Sequence, residues 1–104
     1  MSQKYKGGAK RSGKKLRYSL IATEILDGIA RRATLGAEKY GDDNWMKGDE
    51  RFFKDAWDHL FAHYVKYKNG IPDEDDAQNP MAQLDAMAWN LHAIMWWERK
   101  KLDR

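Results

Sequence analysis

The sequence predicts an all-α protein: a helical bundle of three to four helices, completed by oligomerisation. Three observations carry that expectation. Apolar residues recur at helical spacing in three long segments. Glycine- and proline-bearing polar stretches separate those segments. The last segment is apolar on two sides of its wheel, and the chain holds five tryptophans. At 104 residues it is one domain with a modest core.

Ser19 is the expected N-cap of the first helix, which runs to about Tyr40. Ile21, Ala22, Ile25, Leu26, Ile29, Ala33 and Ala37 follow its period, and Glu24, Asp27, Arg31 and Glu38 share the other side. Gly41 ends it, while Gly28 and Gly36 weaken it, which leaves room for a break near Gly36. The second helix runs from Asp49 or Glu50 to Lys68, with a stripe of Phe53, Ala56, Trp57, Leu60, Phe61, Tyr64 and Tyr67. Asn69-Gly70 stops it, and a polar loop from Ile71 to Pro80 follows. The third helix is expected to start at Pro80 behind an Asn79 cap.

Leu84, Met87, Ala88, Leu91 and Met95 make one stripe of that third helix, and Asp85, Trp89, His92 and Trp96 make a second. A helix coloured on two sides sits between two layers. Three helices supply one such layer, so a partner subunit or a fourth helix is expected, with a homo-oligomeric bundle as the favoured form. A monomer with an unusually aromatic core is the alternative.

The charge is uneven. Lys4, Lys6, Lys10, Arg11, Lys14, Lys15 and Arg17 precede the first acid, Glu24, leaving 12 of the 19 basic residues to set against all 16 acidic ones. The chain therefore divides into a basic, flexible leader over residues 1–17 and a mildly acidic helical domain over 18–104. The leader reads as a solvated arm or as one making weak contacts to nucleic-acid or nucleotide phosphates. With no cysteine there is neither a disulfide framework nor a thiolate zinc site. No apolar run is long enough to span a membrane, and the N-terminus lacks the apolar segment of a signal peptide. A cytoplasmic location is expected.

Two carboxylate pairs have chemical promise. Glu24-x-x-Asp27 and Asp55-x-x-Asp58 each put two acids on neighbouring turns, a spacing that can grip a hard cation shared with substrate phosphates. Glu38 and Asp85 are further candidates; a solvated acidic face is the plainer reading of all of them. His59 and His63 have the four-residue spacing of a zinc pair, but no glutamate follows the first histidine, so zinc is not expected. Recognisable nucleophile elbows and phosphate-cradling P-loops are absent, which leaves metal-activated water as the chemistry the side chains best permit.

The stretch GAEKYGDDNWMKG, Gly36–Gly48, brings a cation, an amide and two aromatic rings close together at a turn. Those groups suit a nucleotide: lysine for phosphate, rings for stacking, asparagine for a base edge. Equally, Tyr40 and Trp45 could simply plug one end of the bundle.

This stretch, then "DHL…Y", then "NGIPDEDD", then "MAQLDAMAWNLHAIMWWE", resembles a group of small phage proteins. These are the N-terminal type of dATP/dGTP diphosphohydrolase, related to the all-helical MazG-like nucleotide pyrophosphohydrolases. The resemblance spans about residues 20–98 and rests most on the KYG-x-x-NW element. It implies an oligomeric all-α fold and Mg²⁺- or Mn²⁺-dependent cleavage of a purine nucleoside triphosphate to monophosphate and pyrophosphate, in the host cytoplasm if the protein is phage-encoded. The related E-x-x-E and E-x-x-D helices find their nearest matches in Glu24-x-x-Asp27 and Asp55-x-x-Asp58, with aspartates standing where glutamates are usual.

Carried onto this sequence, the resemblance assigns Glu38, Asp55, Asp58 and Asp85 to the metal. Lys39 and Lys47 go to phosphate, and Tyr40, Asn44 and Trp45 to the base. Asp58 and His59 take catalytic roles, His59 orienting water or contacting phosphate. Two further readings stay open. One is a non-catalytic protein that sequesters a nucleotide, such as a signal of host defence; the other is an interaction module using the basic leader and the tryptophan face.

Overall fold

The computed structural model describes residues 2–4, 6–13 and 15–103. Three helices dominate it: α1 (Thr23–Tyr40), α2 (Glu50–Lys68) and α3 (Ala82–Leu102). Ahead of them, β1 (Ser2–Lys4) and β2 (Lys10–Ser12) pair as a short antiparallel ladder, with Gln3 opposite Arg11. Of the leader's cations, Lys14 lies outside the described residues. Among those residues no helix is long and apolar enough to cross a membrane.

The helix boundaries follow local chemistry closely in α2. Asp49 caps it, its carboxylate accepting from the Phe52 N–H at 3.0 Å, and Asn69 ends it. The start of α1 departs from expectation. Ser19 falls inside a 3-10 turn, Tyr18–Leu20, and the helix begins only at Thr23, with no side-chain cap. No break occurs at Gly36. Gly28 has a packing role instead, because a Cβ there would collide with the Asp85 carboxylate where α1 meets α3. In α3 the first helical residue is Ala82 rather than Pro80; Asn79 accepts from the Met81 N–H at 3.0 Å, one turn ahead of the helix.

Phe53 stacks on Trp97 at 4.7 Å and His63 bonds Gln83, so α2 and α3 run antiparallel. The buried apolar residues are mostly small: Ala56, Ala82, Ala86 and Ala93, with Phe53 and Ile94 as the large members. This corrects the expected α3 stripe. Its buried face, Ala82, Gln83, Ala86, Asn90, Ala93 and Ile94, lies between the two coloured faces read from the sequence. Small side chains let neighbouring helices approach closely, so the contact line follows alanines while the larger residues flank it.

Two other expected stripes are only partly covered. Ile29, Ala33 and Ala37 of α1 are half-buried, but Ile21, Ile25 and Leu26 are exposed. Trp57, Phe61, Tyr64 and Tyr67 of α2 are exposed as well. The radius of gyration is 18.2 Å, against about 13 Å for a compact domain of this length.

Candidate functional site

The second half of α1, the turn that follows it, one side of α2 and part of α3 enclose a cavity of about 660 Å³. Small-molecule sites typically occupy about 300–1,000 Å³. Tyr40, Trp45, Phe52 and Trp89 supply aromatic walls, with Asn44 beside them. Asp55, His59 and His63 recur every four residues on α2 and so form a polar ladder along the cavity, with Arg32 of α1 also in the lining. Ala56, Asn90 and Ala93 complete the buried part of the lining.

The turn that closes this cavity depends on two unusual backbone positions. Gly41, at φ 91°, ends α1, its N–H bonding the Ala37 carbonyl at 2.8 Å. Asp43 adopts φ 55°, a left-handed conformation that aspartate tolerates better than most residues. The chain thereby reverses into a 3-10 turn, Asn44–Lys47, which drives Trp45 back onto α3. Its ring lies 5.0 Å from Trp96, 5.3 Å from His92 and 5.6 Å from Trp89. Trp45 is thus both a plug packed by several rings and a wall of the cavity.

The position of α1 is held by the acidic loop between α2 and α3. Arg31 grips Asp76 through two bonds, Nε to Oδ2 at 2.8 Å and Nη2 to Oδ1 at 2.6 Å. Arg32 donates to the buried Asp73 at 2.9 Å, and Lys39 donates to Asp75 at 2.6 Å. The Arg31 bond, helped by one from Asn79, holds the Asp76 carboxyl down at about 2. Likewise the Lys39 bond lowers Asp75 and raises Lys39 itself.

His63 has a defined protonation state. Burial pushes its pKa below the ordinary value, against the opposing pull of Gln83. Gln83 Nε2 donates to the Ile71 carbonyl at 3.0 Å, which turns Gln83 Oε1 toward His63 Nδ1 at 2.6 Å. A carbonyl oxygen needs a donor, so Nδ1 carries the proton and Nε2 keeps its lone pair.

Of the residues assigned to a site from the sequence, five line the cavity: Tyr40, Asn44, Trp45, Asp55 and His59. The others lie elsewhere. Lys39 is engaged by Asp75, while Lys47, Glu38 and Asp58 are exposed outside the lining. A three-residue step on α2 turns Asp58 about 60° from Asp55, away from His59. Asp85 accepts a bond from Asn79 at 3.1 Å and borders a separate depression with Glu24 and Asp27. Glu38, Asp55, Asp58 and Asp85 are therefore not brought together. Among the described residues no three His, Asp or Glu side chains cluster closely enough to hold a metal ion.

Arg32, His63 and Asn90 are lining residues that the sequence pattern does not assign to a site. A signal for His63 exists in the Asp55-x-x-x-His59-x-x-x-His63 ladder, which marks one helix face. Arg32 and Asn90 have no such signal, because their positions depend on helix pairing.

An all-α domain with an aromatic-walled cavity of small-molecule size is the class these features define. The chain belongs to the family described as dATP/dGTP diphosphohydrolase, N-terminal, which matches residues 5–104. No curated protein and no solved structure matches it.

Proposed function

We propose that the protein hydrolyses a purine deoxynucleoside triphosphate to monophosphate and pyrophosphate. The observation that carries this reading is the two-sided lining of the cavity: rings suited to a base, and an acid–histidine ladder with an arginine suited to phosphates. The family description points to the same substrates.

In this reading Tyr40 and Trp45 flank the base and Asn44 meets its edge. Arg32, with five N–H donors and one bond among the described residues, to Asp73 at 2.9 Å, has donors left for phosphate oxygens. Water attacks the α-phosphorus, the bond from that phosphorus to the bridging oxygen breaks, and pyrophosphate leaves. His63 Nε2 takes the water's proton, and His59 orients the water. A magnesium or manganese ion held by Asp55 would neutralise phosphate charge and acidify the water. One carboxylate with substrate oxygens and waters suffices for magnesium, which rarely has an all-protein cage.

The test is incubation of the pure protein with dNTPs and NTPs, with and without Mg²⁺ or Mn²⁺, scored for pyrophosphate and monophosphate. Metal-dependent release from purine deoxynucleotides is the expected result. The absence of any cluster of three metal-binding side chains among the described residues favours a second reading, a protein that binds a nucleotide without cleaving it. A nucleotide-induced melting shift with no product would select that reading.

The same proposal includes a homo-oligomer. Trp57, Phe61, Tyr64 and Val65 of α2, with Leu91 and Met95 of α3, are each 42–57% exposed. On both helices they lie opposite the cavity side. At about 150–250 Å² for a large side chain, they leave on the order of 600 Å² of apolar surface. That exceeds most single patches on monomers and approaches the roughly 800 Å² per partner of a stable interface. A second copy packing the same face is the occupant. Sedimentation of the wild type as a dimer or larger, and of Phe61→Glu as a monomer, would establish it; a monomeric wild type would refute it.

A further inference from the structure

The basic leader takes no part in the chemistry above, and the fold leaves its charge uncompensated. Every ion pair among the described residues joins groups between Arg31 and Lys101. Lys6, Lys10, Lys15 and Arg17 are exposed and lie ahead of that region. They also precede the first acid of the sequence, Glu24, so no carboxylate neighbours them along the chain.

The short ladder concentrates this charge. Gly7 and Gly8, at φ 92° and 89°, turn the chain so that β1 meets β2, and the register sets Lys4 opposite Lys10. Like charges directly across an antiparallel pair destabilise it, and a two-stranded hairpin alone is marginal in water. A ligand that brings negative charge to both strands therefore favours the paired form.

The layout also says which anion fits. The cations are spread along a hairpin and the stretch after it, not gathered at one pocket, which suits a chain of phosphates better than a single nucleotide. At the end of that stretch Tyr18, next to Arg17, is 77% exposed. A ring presented beside cations is a platform for an unpaired base, a group that lipid surfaces and acidic proteins do not carry. The rest of the chain has more acids than basic residues, so a strand gains its attraction from the leader alone.

We infer that the leader is a nucleic-acid-binding arm: Lys6, Lys10, Lys15 and Arg17 meet the phosphates of a single strand, and Tyr18 stacks on one of its bases. The arm reads backbone and ring faces, so it binds without sequence preference. It is separate from the cavity, and its failure would leave the nucleotide reading untouched.

The experiment follows fluorescence anisotropy of a labelled single-stranded DNA as full-length protein is added, without metal. Four phosphate contacts predict an affinity that falls about fiftyfold between about 50 and 200 mM salt. The combined variant Lys6→Gln, Lys10→Gln, Lys15→Gln and Arg17→Gln is expected to bind at least about tenfold more weakly at low salt, with the salt dependence flattened and the melting temperature unchanged. Tyr18→Ala is expected to weaken single-strand binding about fivefold or more while leaving duplex binding as it was. No binding by the wild type, or binding indifferent to salt, overturns the inference. Undiminished binding by the combined variant does so as well, and so does capture of phosphatidylglycerol vesicles with none of the oligonucleotide. Unchanged single-strand affinity in Tyr18→Ala overturns the assignment to single strands.

Discussion

Two acidic regions of this chain look alike as sequence and behave differently in the fold. In the loop after α2, three of the four consecutive acids Asp73–Asp76 are bonded to a cation of α1. On α2, Asp55 has only a loose approach from Arg51 at 4.0 Å, and Asp58 is exposed. Charge density did not decide which acids are structural. The loop acids became a latch because α1 presents Arg31, Arg32 and Lys39 along one side, and they thereby position the cavity wall that contains Arg32, Ala33 and Ala37. Asp55 stays available because its helix turns it toward the cavity, where Arg32 is already engaged by Asp73.

The comparison can be broken most forcefully at the buried pair. Arg32→Ala leaves the buried Asp73 carboxylate without its cation, keeping the Asp75 N–H at 3.1 Å, and is expected to cost about 3 kcal/mol, read from urea unfolding. A loss below about 1 kcal/mol would mean that the loop does not latch α1. Asp55→Asn separates the regions from the other side. Its expected effect is at least a hundredfold loss of turnover, about 2.7 kcal/mol of transition-state stabilisation, with an unchanged melting temperature. Comparable turnover in wild type and variant would remove Asp55 from the site.

Smaller effects sharpen the contrast. Asp58→Asn, outside the cavity lining, is expected to stay within about 0.5 kcal/mol in stability and to leave turnover intact. A large loss of activity would return Asp58 to the metal.

The pH dependences share a sign but differ in window. Asp76 is depressed to about 2 from 3.8, so its contribution is complete above the unfolded value and disappears as pH falls from about 4 toward 2. His63 is depressed too, by burial, so the unfolded chain with its higher pKa takes up the proton first. Stability should therefore decline as pH drops below the unfolded histidine value of about 6.5. Melting temperatures between pH 7 and 5 would show this slope, and His63→Gln should flatten it.

Much of the helical scaffold is legible in the sequence. The bounds of α2 and the Gly41 stop follow from signals that act over four residues or fewer, and the fold respects them. Tyr40, Asn44, Trp45, Asp55 and His59 are readable for a related reason: a turn sequence and a helical ladder are local patterns. The start of α1 differs from its sequence signal because a serine caps only if the chain beyond it enters a helix, and here a 3-10 turn intervenes.

What the sequence determined by itself was periodicity: where the helices run and which residues share a side. Which side meets which was decided only by tertiary structure. The bonds that assign Asp73, Asp75 and Asp76 to a latch join residues 36 to 45 positions apart. The buried face of α3 follows Ala86, Asn90 and Ala93 because close helix approach rewards small side chains over the most apolar ones. Asn90 therefore reads from the sequence as a polar interruption of a helix, and joins a cavity lining only when α1 and α2 are laid beside it.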